Sequence, residues 1–102
     1  MPAFIRVAEA AEIPAGAGKL VEVAGKQIAV FESHGSYYAI DNECTHVGGP
    51  LAEGRLEGTV VECPWHAARF SIQSGQPVSG PHQGGVACYR VRRVGDHLEV
   101  EL

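Results

Sequence analysis

The chain has 102 residues, enough for one domain and too few for a second catalytic unit. Thirteen glycines and six prolines favour a turn-rich β chain over helices. The formal charge of −4 argues against a nucleic-acid partner, and no apolar run reaches the length of a secretory h-region or a membrane span, so the expectation is a cytoplasmic chain with no membrane contact.

Phe4–Val7 reads as a first strand. Ala8–Gly18 carries Pro14, Gly16 and Gly18 with no clean period, and reads as loop with at most a turn of helix. Leu20–Val23 and Gln27–Ser33 are predicted strands joined by the turn Ala24-Gly25-Lys26; a second turn at His34-Gly35-Ser36 leads to a strand over Tyr37–Ile40. Connections this short make antiparallel hairpins. The texture changes over Asp41–Gly58, where Gly48, Gly49, Pro50, Gly54 and Gly58 replace alternation with a long loop and its return. Thr59–Glu62 is a short strand running directly into Cys63, and Arg69–Ile72 leads out to a turn at Ser74-Gly75, so residues 63–68 sit at a hairpin tip. Ser79–Gly85 is another loop, Val86–Val94 one strand, Gly95-Asp96 a tight turn and His97–Leu102 the last strand. Its alternation turns Leu98, Val100 and Leu102 inward and His97, Glu99 and Glu101 outward. The predicted layout is all-β and antiparallel. Residues 1–40 and 83–102 form a base, and a smaller lobe, residues 41–82, is inserted in the same single domain 1–102.

The chemistry concentrates in that lobe. Cys44-Thr45-His46 and Cys63-Pro64-Trp65-His66 give the pattern C-x-H-x16-C-x2-H. Two thiolates and two imidazoles converging on one point make a metal site. Cys2His2 zinc sites usually pair like with like, as C-x2–4-C followed by H-x3–5-H, whereas each pair here is mixed. One residue between Cys44 and His46 is also tight for two ligands of a single tetrahedral ion. The strain disappears if the two cysteines bind one iron and the two histidines another, the Rieske arrangement of a [2Fe-2S] cluster. A zinc-bound interaction module stays open as the alternative. A disulfide framework does not fit, because three cysteines leave one over and nothing marks an oxidising compartment.

Cys44–Pro50 (CTHVGGP) and Cys63–Phe70 (CPWHAARF) resemble the two cluster-binding loops of Rieske-type ferredoxins, the small electron carriers of bacterial ring-hydroxylating dioxygenase systems. The resemblance covers most of the chain, with its specific motifs in residues 41–82. It implies a Rieske-like fold and one [2Fe-2S] cluster per chain, with Cys44 and Cys63 on the inner iron and His46 and His66 on the outer, more exposed iron. It also implies a monomeric one-electron carrier that is not itself an enzyme, taking electrons from a flavin-dependent ferredoxin reductase and passing them to a terminal oxygenase. Two thiolates in place of four leave the oxidised cluster neutral, so it accepts an electron more readily. High-potential members of the family carry a bracing pair of cysteines at the places of Gly49 and Trp65, and hydroxyl donors at those of Ala68 and Phe70. Their absence implies a potential at the low end of the Rieske range, roughly −150 mV. The family usually has Gly directly after the second His; here it is Ala67. The Rieske small subunit of a larger reductase, such as nitrite reductase, is the other reading. Such subunits often lack some of the ligands, and the presence of all four favours the carrier.

Backbone N–H groups at Val47–Gly49 and Ala67–Ala68 are expected donors to the cluster sulfurs. Trp65, between two ligands, reads first as packing, with shielding of the cluster or a docking surface as the alternatives. Cys88, mid-strand, reads as a buried structural thiol, and His34 and His97 as exposed. His82 follows Gly80-Pro81, which resembles the proline loop covering the cluster in the family. Between Asp41 and Phe70 the acids Asp41, Glu43, Glu53, Glu57 and Glu62 outnumber Arg55 and Arg69 by three, an excess that reads as a solvated surface or as an electrostatic face toward a basic redox partner.

Overall fold

Ile28, Ala29, Val30 and Phe31 follow one another in sequence and none exposes any surface. Side chains on a strand alternate between its two faces, so this run requires a sheet covered on both sides. The computed structural model, which describes residues 3–43, 49–65, 68–80 and 84–102, has that sheet at its centre. It is formed by β2 (Gly18–Val23), β3 (Lys26–Ser33), β4 (Ser36–Asp41) and β9 (Cys88–Tyr89), in that order. On one side lies a sheet of β1 (Phe4–Glu9), β11 (His97–Glu101) and β10 (Val91–Val94). On the other lies a sheet of β5 (Arg55–Glu57), β6 (Val60–Glu62), β7 (Arg69–Ser71) and β8 (Pro77–Ser79). Every strand pair is antiparallel.

Two cores result. Ile28, Val30 and Ala39 pack with Ala8, Ile13, Val21, Leu98 and Val100 between the middle and terminal sheets. Ala29, Phe31 and Ile40 pack with Leu51, Val61, Cys63, Phe70 and Ile72 between the middle sheet and the inserted one. The second core therefore contains Cys63.

The two early hairpins have turns at Ala24-Gly25 and His34-Gly35, with φ of 51° and 79° in the first and 51° and 83° in the second. Positive φ at both central positions is the type I′ geometry that matches strand twist. The expected loop Ala8–Gly18 contains a 3-10 turn at Ala10–Glu12, capped reciprocally by Glu9 and Glu12.

Three expectations change. The predicted strand Val86–Val94 is broken at Arg90: Cys88 and Tyr89 pair with β4, while Val91–Val94 pairs with β11, so the chain changes sheets there. Arg55–Glu57, expected as part of a loop, and Ser79, expected to open the next one, belong instead to strands at the two edges of the inserted sheet, β5 and β8. Cys88 is exposed instead of buried. It stands opposite Ile40, on the same face, but on the sheet's outermost strand where nothing covers it.

Candidate metal centre

The second ligand segment grows from the β6–β7 hairpin. Glu62 pairs with Arg69 across it, and the Cys63 N–H donates to the Ala68 carbonyl at 2.7 Å, closing the stem one residue further out. This turns the Cys63 side chain into the core beneath, where it is 1% exposed. Neither Cys63 nor Cys88 is in a disulfide. Pro64 and Trp65 emerge at the tip, Trp65 with 57% of its surface exposed. The expectation that Trp65 serves as core packing fails, because the tip of a hairpin projects beyond the sheets that would bury it.

The first ligand segment is closed at its base by one buried residue, Asn42. Its N–H donates to the Gln27 carbonyl at 3.1 Å, holding it to the start of β3. Its carbonyl accepts the Leu51 N–H at 2.7 Å, and its side-chain Oδ1 accepts the Ala52 N–H at 2.8 Å. Glu43 and Pro50 form an isolated bridge just above. The return of the loop is so close to the second segment that a Cβ at Gly49 would stand 2.5 Å from Cys63 Sγ. Only glycine fits there, for reasons of space.

Of the four expected ligands, Cys63 is described, and Cys44, His46 and His66 lie outside the described residues, as do Val47, Gly48, Ala67, Pro81 and His82. The described frame brings the stems of both ligand segments together at Gly49 and Cys63. A buried thiol outside any disulfide, with a second chain segment held against its sulfur, is a position that a metal–thiolate centre would suit, since coordination would supply the charge that an isolated buried thiolate lacks. Among the described residues no group of three or more His, Cys, Asp or Glu could hold a metal.

The surrounding charges are largely paired. Arg69 Nε lies 3.1 Å from Glu62 and Arg55 3.5 Å from Glu57. Asp41 accepts a 2.6 Å hydrogen bond from the Tyr89 hydroxyl, which joins β9 to the entrance of the first segment. Burial, then the hydrogen bond to Asp41 and the charges of Asp41 and Cys88, push the Tyr89 phenol up to about 12. His34 is exposed as expected; His97 is half-buried, with Nε2 at 2.9 Å from Glu99 Oε2.

Sequence reasoning overlooks Asn42 and Tyr89. A lone Asn after a strand reads as an ordinary turn residue, and nothing local to Tyr89 points to Asp41. For Asn42 the one available signal is position, a polar side chain two residues before the first expected ligand.

The Rieske [2Fe-2S] domain family matches residues 3–90. The ferredoxin component of the naphthalene 1,2-dioxygenase system of Pseudomonas aeruginosa is 37% identical over 89% of this chain and 88% of its own length. The ferredoxin of carbazole 1,9a-dioxygenase from Nocardioides aromaticivorans IC177 superposes with a TM-score of 0.90 at 30% identity, covering 95% of both chains. A chain of the complex of reduced oxygenase and oxidized ferredoxin in carbazole 1,9a-dioxygenase superposes with a TM-score of 0.87 at 30% identity, covering 95% of this chain and 91% of that one.

Proposed function

Because the chain belongs to the Rieske [2Fe-2S] family, we propose that it is a one-electron carrier serving a ring-hydroxylating dioxygenase system. Cys44, His46, Cys63 and His66 would hold one [2Fe-2S] cluster per chain, Cys44 and Cys63 on the inner iron and His46 and His66 on the outer. Bound there, the cluster supplies a one-electron couple. The chain's own residues do the rest. Asn42 closes the first ligand segment, the Cys63–Ala68 hydrogen bond closes the second, and the core around Val61 and Phe70 keeps water from the inner side. One observation carries the reading: the first segment returns against the sulfur of Cys63 so closely that, with Trp65 beside it, a side chain at position 49 would displace one of them.

The acceptor is a terminal oxygenase, a reading supported by the relatives' roles as ferredoxin components and by the ferredoxin–oxygenase complex, and the donor on this reading is a flavin-dependent ferredoxin reductase. The carrier acts as a cytoplasmic monomer, and the division into a base (1–40, 83–102) and a cluster lobe (41–82) belongs to the same proposal. No helix among the described residues is long and apolar enough to cross a membrane. On this reading the chain alone turns over no organic substrate.

The test is the optical and EPR spectrum of the purified protein with ligand variants beside it. Replacing Cys44, His46, Cys63 or His66 by Ala should abolish the cluster signal, and Cys88→Ser should leave it intact. A colourless wild-type protein containing zinc would overturn the reading. So would a Cys88→Ser variant that loses iron while Cys44→Ala keeps it.

A further inference from the structure

We propose that Trp65 is a positioning residue that clamps the two ligand segments together and covers the sulfur of Cys63, so that its indole sets how much water reaches the inner side of the metal centre. The inference rests on the reading of Cys63 as a cluster ligand and adds a residue to it.

The geometry is a pincer. A Cβ built at Gly49 would lie 2.5 Å from Cys63 Sγ and 3.3 Å from both Cγ and Cδ2 of Trp65. Residues 63 and 65 of the second segment therefore both crowd the space beside residue 49 of the first. Gly49 is buried and Cys63 is 1% exposed, while Trp65 as a residue is 57% exposed. The indole therefore lies against the place of residue 49 while more than half of Trp65 stays exposed. A tryptophan serving as core packing would be covered, and a merely tolerated one would gain nothing from lying over a glycine. Leaving so much apolar ring in water is unfavourable. The indole offsets this by filling the space beside Gly49 that a side chain at position 49 would need. Apolar cover of this kind controls solvent access and local dielectric, and through them the potential of a metal centre.

The direction of the effect follows from charge. Reduction adds negative charge to the centre, and water stabilises added charge better than hydrocarbon does. Removing the indole should therefore raise the potential and let chelators reach the iron sooner.

The experiment compares wild type with Trp65→Ala and Trp65→Phe in the iron-loaded protein. Iron content and EPR establish first that the cluster is present, so failure of the carrier reading shows there and not in the comparison. We expect Trp65→Ala to have an upshifted midpoint potential and to be bleached by a chelator about tenfold faster, the lower end of what losing an outer-shell partner costs a metal site. Trp65→Phe should restore most of both. An Ala variant with wild-type potential and bleaching rate overturns the proposal.

Where Trp65→Ala fails to load, the wild-type protein still decides. Trp65 is the chain's one tryptophan, so its fluorescence reports the pincer directly. Acrylamide should quench it clearly more slowly than it quenches free tryptophan, and Gly49→Ala, whose Cβ pushes the segments apart, should red-shift the emission. Quenching at the free rate with no shift in Gly49→Ala overturns the proposal equally.

Discussion

Asn42 shows how much of the site rests on a residue that performs no chemistry. Asn42→Ala would leave the Ala52 N–H buried without an acceptor, an effect of about 1–3 kcal/mol. The expected result is a lower urea midpoint and faster loss of iron, with an unaltered EPR line shape in whatever cluster remains. Ala68 offers a gentler probe. It is wholly buried beside the ligand hairpin, so Ala68→Ser should raise the midpoint potential from its expected value of roughly −150 mV by adding a donor near the sulfurs. Redox titration of the two proteins checks this, and a wild-type value well above zero would contradict the argument from missing donors. At this scale the sequence is legible where chemistry restricts residue type. Cys63 stands out as a candidate ligand because few side chains can bind iron and its spacing to His66 is visible in the string. Asn42 does not stand out, because its partners lie nine and ten residues away and become partners only when the loop closes. Cys88 misleads because alternation places it on the face of Ile40 but cannot indicate that its strand is the last in the sheet.

Among the elements, the hairpins are the most legible and the inserted sheet the least. Gly25 and Gly35 mark their turns plainly, and the apolar run of β3 marks a strand. The edge strands β5 and β8 have three residues each and flanking residues that read as turns; their strand character comes from pairing with β6 and β7, not from composition. The switch of sheets at Arg90 is invisible for the same reason, since a β sequence does not name its partner. Both hairpin turns hold a non-glycine residue at positive φ, and at Ala24 the sequence could shed that strain. Ala24 holds φ at 51°, a left-handed conformation that disfavours a side chain by about 1 kcal/mol. Asn-Gly is the preferred pair for this turn type. Ala24→Asn should therefore raise the melting temperature by a few degrees, roughly 4–8 °C per kcal/mol in a domain of this size. Differential scanning calorimetry checks it, with potential and EPR spectrum unchanged because the turn lies outside the ligand segments.

For the whole molecule, pH dependence follows from where single protons are held. Tyr89 is pushed up to about 12 by burial and by Asp41, whereas in the unfolded chain it ionises near 10. Its contribution is complete below pH 10 and is lost as pH rises toward 12, because the unfolded chain releases the proton first. Tyr89→Phe should flatten the fall in urea midpoint across that window. At the acid end the sign reverses. Hydrogen bonds from His97 and then Arg92 lower the Glu99 carboxyl, so its contribution is present above the ordinary carboxylate range and is lost as pH falls through the depressed value. Glu99→Gln should differ from wild type at neutral pH and converge with it in acid. The layering has a consequence of its own. Ile28 and Val30 belong to one core, Ala29 and Phe31 to the other, and a single strand separates them. Amides on β3 are bonded to β2 and β4 within the sheet and lie between two closed cores, so their exchange should follow global unfolding. The ligand hairpin and the terminal sheet then share one opening event, although they touch opposite faces of that strand.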